Sequence, residues 1–487
     1  MTGESGVEQK KTMFKYLHDS LVQQITSGKL AYGEQLPPLR RLCELYNVGI
    51  RTVRDVVQAL AAEGYVESVQ RSHVRVSYRL GGDEAELARA SLARRDSTWA
   101  LLKTMEAVMP HVYGEAVRHC GPALVQACRD DVAGMDQMGA KGQWRKARVA
   151  LQRITGAYGN DLLEDLCIDI DLTAQVPIVP GHENPYQRMS LGAEAGLNAL
   201  FDLVAAGDGL AVGAVIRRMY RDSAEAVAAH FDALHRAYPG ESPEQVPYRW
   251  DAEKGRARTY MQVTRSLIKK ICDGEYPDGT CLPGHAALRE EYQISSYTVG
   301  KVMEALEQIK LVQKRNHHGA YSVTCGEART KALFADGPTP VADAMTFLGA
   351  VHALALLSRG AAELGFDYLT EADVRRLAGR VEARDRPGLP DSILLTLVQA
   401  QPYQPLKAIC AELMKLVEWG YYFAFAYDER AHVQTIQDWS RAALRAAGEG
   451  DRARFAGAVQ GMYDYIFRVM QEMLCGLGVT GAADIRR

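Results

Sequence analysis

Signals for export or membrane insertion are missing from the sequence. The N-terminal stretch MTGESGVEQKKT is polar and has no apolar core of a secretory signal. The longest apolar runs, such as FLGAVHALALL, fall short of the roughly 20 residues that a membrane span needs. The 9 cysteines stand singly, without CxxC pairs or Cys/His clusters at zinc spacing. We therefore expect a cytoplasmic protein with reduced thiols and no membrane partner.

Signatures of catalysis are missing as well. The sequence contains no P-loop, no G-x-S-x-G elbow and no sustained alternation of strand and helix patterns. We therefore expect no enzyme and no cofactor. A chain of 487 residues is too long for one hydrophobic core and predicts roughly three or four domains.

The net charge of −3 hides two mildly basic segments. Residues 1–80 hold 11 Lys and Arg against 8 Asp and Glu, and residues 254–325 hold 11 against 7. Basic segments in an otherwise acidic chain fit a nucleic-acid contact that is restricted to those segments.

The same two segments repeat one another. LPPLRRLCELYNVGIRTVRDVVQAL begins at Leu36, and LPGHAALREEYQISSYTVGKVMEAL begins at Leu282. In each copy, apolar residues at helical spacing predict a first helix, a short second helix after Leu-Pro and a third helix after a tight turn. Two alternating segments then predict a β-hairpin, as in YVESV and HVRVSY. The order is that of a winged helix–turn–helix, which we name module 1 (residues 1–80) and module 2 (residues 252–326).

The motifs GKLAYGEQLPPLRRL and VGIRTVR resemble the DNA-binding domain of the GntR family of bacterial transcription regulators. DGEYPDGTCLPGHAAL and ISSYTVG resemble it more loosely. The resemblance implies that the third helix enters the major groove, where arginine can bond guanine O6 and N7. For module 1 it implies DNA contacts from the helices, with an adjacent arginine, and from the wing: Arg40, Arg51, Thr52, Arg54, Arg71, His73 and Arg75.

Module 2 departs further from the family motif. Ala286, Ser296 and Gly300 stand where the family motif has arginine. The remaining DNA-binding candidates lie on its third helix and its wing: Ser295, Tyr297, Thr298, Lys301, Lys314, Arg315, His317 and Gly319. One interpretation is that module 1 reads bases while module 2 grips the backbone. The other is that module 2 has become a structural or dimerising unit.

Each module is followed by a stretch with helical patterning only, which we name helical block 1 (residues 81–245) and helical block 2 (residues 327–487). Matching Gly-Asp pairs begin at Gly207 and Gly450, and matching Met-Tyr pairs begin at Met219 and Met462, 243 positions apart. The duplication therefore spans a whole unit of module and block. The fold class predicted is mainly α: a tandem duplication of winged helix–turn–helix and all-α bundle.

The helical blocks resemble the effector-binding and dimerisation domain of the fatty-acid-repressor branch of the same family. Many members hold a divalent metal there through an Asp and three histidines. The matching positions here are Ala147, Leu151, Leu197 and Met219 in block 1, and Asp391, Leu395, Ser440 and Met462 in block 2. No histidine occupies any of them, so we expect no metal.

An unknown small-molecule effector is still expected in these blocks. The candidate residues are His111, Arg148, Tyr220, Asp391 and Tyr463. A guanidinium such as that of Arg148 suits a carboxylate ligand, although the charged run around it favours a solvent-facing arginine. For His111 and the tyrosines, a core position is favoured over a pocket.

Together these features predict a sequence-specific transcriptional regulator that binds double-stranded operator DNA. It would act as a homodimer, or as an intramolecular pseudo-dimer because one chain carries two modules. The alternative is a scaffold or effector-titrating protein, built from degenerate copies, that binds no DNA.

Overall fold

The computed structural model describes residues 14–25, 30–78, 84–253, 259–323, 338–382, 389–417 and 429–487. Short gaps inside these ranges fall at 16, 23, 31, 47, 70–72, 177–178, 184, 189–192, 242, 273, 309–310 and 316–318. The chain divides into two compact units. Unit 1 comprises Met1–Ala157, Leu163–Arg256 and Pro402–Ile409, and unit 2 comprises Tyr158–Leu162, Ala257–Gln401 and Cys410–Arg487.

Module 1 consists of three helices and a two-stranded antiparallel wing. Its elements are α1 (residues 14–25), α2 (Leu39–Tyr46), α3 (Ile50–Ala62), β1 (Val66–Val69) and β2 (His73–Val76). Apolar residues recur every third or fourth position on each helix, so each helix turns one stripe inward. Leu21, Leu42, Val56 and Leu60 meet there in a shared core.

Module 2 repeats module 1 with an offset of 246 residues. Its elements are α11 (Thr259–Cys272), α12 (His285–Tyr292), α13 (Ser296–Gln308), β3 (Val312–Arg315) and β4 (Gly319–Ser322). Equivalent hydrogen bonds join the first and second helices: Ser20 Oγ lies 3.1 Å from the Tyr46 hydroxyl, and Ser266 Oγ lies 3.0 Å from the Tyr292 hydroxyl. The tertiary contacts therefore repeat as well as the motifs.

Helical block 1 lies in unit 1, apart from the start of α8, and centres on two long helices. Its helices are α4 (Glu84–Leu92), α5 (Arg95–Ala116), α6 (Pro122–Val132), α7 (Ala140–Gly156), α8 (Asp161–Ala174), α9 (Glu194–Ala205) and α10 (Gly209–Ala237). The long helices α5 and α10 pack along one another. Gly114 and Gly209 permit this close approach, because a Cβ on Gly114 would lie 2.6 Å from the Gly209 carbonyl oxygen.

Helical block 2 lies in unit 2, apart from the first residues of α17. Its helices are α14 (Pro338–Phe366), α15 (Glu371–Glu382), α16 (Leu389–Ala400), α17 (Gln404–Val417), α18 (Glu429–Gly448) and α19 (Arg452–Gly476). The Gly-Asp pairs found in the sequence begin matching helices. Asp208 accepts a hydrogen bond from the Ala211 N–H at 3.0 Å, and Asp451 accepts one from the Arg454 N–H at 2.9 Å. Each aspartate is thus the N-cap of the last long helix of its block.

The mainly α fold class with two small wings is confirmed. The domain boundaries predicted from the sequence remain predictions. Within the described residues, one helical segment, Val341–Phe366, has the length and hydropathy of a membrane span. Polar residues such as His352 and Arg359 interrupt its apolar runs, so the sequence alone did not single it out. Of its most apolar stretch, 72% is buried, which is the position of a core helix.

Candidate nucleic-acid interface

The third helix of module 1 separates an apolar face from a basic one. Val53, Val56 and Leu60 lie in the core. Arg51 and Arg54 are exposed, and Gln58 and Ala61 continue their stripe at spacings of three or four residues. We call Arg51, Arg54, Gln58 and Ala61 the reading face of α3.

Arginines on α2 extend the basic surface of module 1. Arg40 is exposed, and so is its neighbour Arg41, which the sequence analysis did not single out. Within the described part of the chain, no ion pair engages Arg40, Arg51 or Arg54. Their guanidinium groups are therefore available to an anionic partner.

Two other DNA-binding candidates in module 1 have different settings. Thr52 is only 7% exposed, because it lies on the inward side of α3. Arg75 is exposed on β2, where it pairs with Glu67 of β1. Arg71 lies outside the described residues, and only the backbone of His73 is described, opposite Val69. The structure thus brings the helix arginines together on one surface and leaves Thr52 beneath it.

The candidates at the start of α13 are engaged with one another. Ser295 Oγ accepts a hydrogen bond from the Thr298 N–H at 3.1 Å and lies 2.8 Å from the Thr298 hydroxyl. Ser295 is therefore an N-cap of the third helix. Tyr297, at the position of Arg51, is 44% exposed.

The lysines of module 2 are paired with carboxylates. Lys301 Nζ lies 2.7 Å from Glu304, and Lys314 Nζ on β3 lies 2.7 Å from Glu307. The sequence analysis named both lysines but neither glutamate. A comparison of the repeats at the 246-residue offset would have found the glutamates.

The tip of the second wing is only partly described. Gly319 has a φ of +99°, a conformation that favours glycine, and a Cβ there would lie 3.1 Å from Cys281 Sγ. The backbone of Arg315 pairs with Gly319, but its side chain is not described, and His317 lies outside the described residues. Gly319 therefore shapes the wing.

Comparison with known proteins agrees with this geometry. The family model "Bacterial regulatory proteins, gntR family" matches residues 15–76 and, separately, residues 259–321. Each of the two winged modules thus matches this family model. Their matched ranges cover all three helices of each module and most of each wing.

A known relative also matches part of the chain. It is the HTH-type transcriptional repressor NanR of Enterobacter sp. (strain 638), 37% identical over 68 residues. The match spans 14% of this chain and 26% of NanR, about a quarter of that relative's length.

Solved structures also match parts of the chain. Streptococcus agalactiae GntR is 19% identical, with a TM-score of 0.20, and the match covers 43% of this chain and 99% of that one. A GntR family member from Pseudomonas syringae pv. tomato is 19% identical, with a TM-score of 0.23 and coverage of 45% and 87%. E. coli McbR/YncC is 16% identical, with a TM-score of 0.22 and coverage of 46% and 98%.

Behind the gntR-family module of unit 1, helical block 1 contains a polar cluster around Arg148. Burial lowers the pKa of Arg148, and the nearby Asp171 of α8 opposes this shift. Burial also raises the pKa of the Asp171 carboxyl to about 7, against the effects of Arg148 and of Gln152, whose amide donates to the carboxylate at 3.0 Å. Arg148 Nε is buried and has no hydrogen-bond partner among the described residues. Arg148 is therefore half-buried, with its Nε turned away from solvent, and its role as an effector contact stays a prediction.

Asp171 was missed in the sequence analysis, although a signal was present. It follows Leu163 and Cys167 of α8 at spacings of four residues, which places a carboxylate on an otherwise apolar stripe. Tyr113 and Tyr220 lie in the same cluster, since burial raises the pKa of both well above the usual range and Asp171 adds to each shift. Tyr220, named as an effector candidate, thus lies buried near Asp171.

The other effector candidates belong to helices other than those of Arg148 and Tyr220. His111 is half-buried on α5, and Tyr463 is buried on α19 of block 2. Asp391 lies on α16, but its side chain is not described. Among the described residues, no group of three or more His, Cys, Asp or Glu side chains is arranged to hold a metal ion.

Proposed function

We propose that the chain is a transcriptional regulator that binds duplex DNA and reads base edges through module 1. The observation that carries the proposal is the exposed set Arg40, Arg51 and Arg54, free of ion pairs with described residues. Arginine is the side chain best suited to bidentate contact with guanine. The name of the relative NanR, a transcriptional repressor, supports the same class of function.

The decisive experiment selects DNA fragments with the purified full chain and then measures the affinity of an Arg54→Ala variant for the selected site. Loss of a base contact should cost roughly 1–3 kcal/mol, or about 5- to 150-fold in affinity, and relax discrimination at one base pair. Fluorescence anisotropy with the selected site and single-base variants of it provides the readout.

A matched control for this experiment is Arg445→Ala, which removes an exposed arginine from α18 of helical block 2. It should leave the affinity for the selected site unchanged. Unchanged affinity after Arg54→Ala would show that α3 is not the reading helix. Failure of the parent chain to bind any fragment would favour the scaffold alternative.

We further propose that helical block 1 binds a small-molecule effector at the Arg148 cluster. Support comes from the buried Nε of Arg148, which makes no hydrogen bond to described residues, and from the hydroxyls of Tyr113 and Tyr220 nearby. A buried guanidinium with unused hydrogen-bonding capacity suits an anionic or strongly polar ligand.

The cluster also has a route to module 1 within unit 1. Arg41 of α2 is close enough to Arg148 to add to the lowering of its pKa. A ligand that neutralises Arg148 would therefore change the electrostatic environment of the helix beside the reading face. To change DNA binding, an effector must bind two arrangements of unit 1 with different affinities.

The assembly proposed is a homodimer or an intramolecular pseudo-dimer. The exact repetition of the winged modules at a 246-residue offset supports either form. Light scattering of the protein alone and on its selected site distinguishes them, because the pseudo-dimer binds as one chain per site.

A further inference from the structure

The second and third helices of the two modules carry opposite net charge, although their first and last residues correspond at the 246-residue offset. Helices α2 and α3 hold four arginines against two carboxylates, a net charge of +2. Helices α12 and α13, at an offset of 246, hold two cations against four carboxylates, a net charge of −2. The sign of the net charge therefore changes in the helices of module 2 that correspond to α2 and α3. By the proposed function, α2 and α3 are the helices of module 1 that face DNA.

Two of these carboxylates occupy the reading face itself. At the 246-residue offset, the reading face of α3 corresponds to the stripe Tyr297, Gly300, Glu304 and Glu307 on α13. Glu304 replaces Gln58, and Glu307 replaces Ala61. Gln58, Ala61, Glu304 and Glu307 are all exposed, so the two replacements change the surface of the module and leave its core unchanged.

The negative charges of Glu304 and Glu307 offset the positive charges of Lys301 and Lys314 beside them. Lys301 lowers the pKa of Glu304 through a hydrogen bond, and Lys314 adds to this effect, so Glu304 feels both lysines. Lys314 in turn contacts Glu307 at 2.7 Å. The lysines lie 32% and 49% exposed and could turn to phosphates at small cost, since surface ion pairs contribute roughly 0–1 kcal/mol. The carboxylates would still face the duplex.

We infer that Glu304 and Glu307 are specificity determinants that prevent module 2 from holding duplex DNA and so leave recognition to module 1. The inference rests on the proposed function. Duplex DNA presents one negative charge for about every 1.7 Å of its axis, so two exposed carboxylates on a docking face repel it. Removing them would leave the charges of Lys301 and Lys314 without opposing carboxylates on this face, so that two phosphate contacts are gained.

The test compares the full chain with the variant Glu304→Gln/Glu307→Ala, which gives module 2 the residues of module 1. Binding to a duplex without the selected site is measured by fluorescence anisotropy at 50 and 200 mM salt. Two added phosphate contacts should steepen the salt dependence by about two units. The affinity gain of the variant over the parent should then be about tenfold larger at 50 mM than at 200 mM salt.

Two controls separate this effect from a change in total charge. Glu371→Gln/Asp438→Asn removes two exposed carboxylates from helical block 2 and should leave the salt dependence unchanged. Gln58→Glu/Ala61→Glu installs the glutamates in module 1 and should weaken binding to the selected site. Circular dichroism confirms that each variant is folded.

An unchanged salt dependence in Glu304→Gln/Glu307→Ala, or an equal gain in the block 2 control, would overturn the inference. If Arg54→Ala still weakens binding to the selected site, the proposed function survives that outcome. If neither the parent nor the module 2 variant binds duplex DNA, both the proposed function and the inference fail.

Discussion

At the scale of single residues, position decides what each charge does. Arg54 is exposed on α3 without an ion pair to described residues, whereas Arg148 is half-buried in helical block 1 near Asp171. The first can meet an external anion directly, and the charge of the second acts on the groups around it. The carboxyl group of Asp171 shows the cost of such enclosure, because burial raises its pKa to about 7.

This raised pKa makes stability depend on pH in a defined direction. The unfolded chain releases the Asp171 proton near its usual pKa of about 4, and the folded protein retains it to about 7, so stability falls as pH rises across that range. Asp171→Asn cannot ionise and should escape this loss. Relative to the parent, the free energy of unfolding of the variant should increase by roughly 1–3 kcal/mol between pH 4 and pH 8.

Urea unfolding at several pH values measures the difference. The control is Asp222→Asn, which removes a surface carboxylate 3.7 Å from Arg218 and should give a difference that varies little with pH. A flat profile for Asp171→Asn would mean that the Asp171 carboxyl ionises normally in the folded protein.

At the scale of elements, the close packing of α5 on α10 organises helical block 1. Gly114 and Gly209 face each other across this contact, and neither has room for a side chain. Glycine lowers helix propensity, so its presence inside a helix has to be offset by packing. Here the contact between two long helices provides that offset.

Gly114→Ala should therefore destabilise the block. The new Cβ would lie 2.6 Å from the backbone oxygen of Gly209, and backbone cannot move aside without separating the helices. We expect a loss of about 1–3 kcal/mol in the free energy of unfolding. Gly457→Ala in α19, where a Cβ meets nothing within 4 Å, should instead gain about 0.5–1 kcal/mol. Equal effects of the two substitutions in thermal unfolding would contradict this packing account.

At the scale of the whole molecule, the chain is a duplication whose halves have diverged at their surfaces. The backbone, core and capping interactions repeat, as the matching contacts of Tyr46 and Tyr292 show. The exposed charges do not. The two copies therefore share the winged fold and present different surfaces.

Where one chain occupies a site as a pseudo-dimer, its unequal modules should select an asymmetric operator. Because operator symmetry mirrors protein symmetry, one half of the site should carry most of the base discrimination. Substituting base pairs in that half should cost roughly 1–3 kcal/mol each, while the same changes in the other half should cost far less. Footprinting and anisotropy on a panel of single-base variants measure both halves. Equal costs in the two halves would show that both modules read bases.

The sequence predicted the winged modules well and the polar core of block 1 poorly. Helix α3 and the wing were predicted from spacing over a few residues, such as Val53, Val56 and Leu60 at helical intervals. The proximity of Arg148 and Asp171 involves two different helices and leaves no local pattern. The sequence therefore indicated Arg148 as a candidate, but it did not indicate the surroundings that bury its Nε. The resemblance of the helical blocks to the fatty-acid-repressor branch remains a prediction.

The sequence by itself determined that the chain contains two winged modules, because helical periodicity, turn residues and the repeat offset are properties of neighbouring residues. Only the tertiary structure decided that Thr52 lies beneath the basic surface, that Glu304 and Glu307 cancel Lys301 and Lys314, and that Asp171 adjoins Arg148. The reason is that burial and ion pairing depend on which elements meet in space.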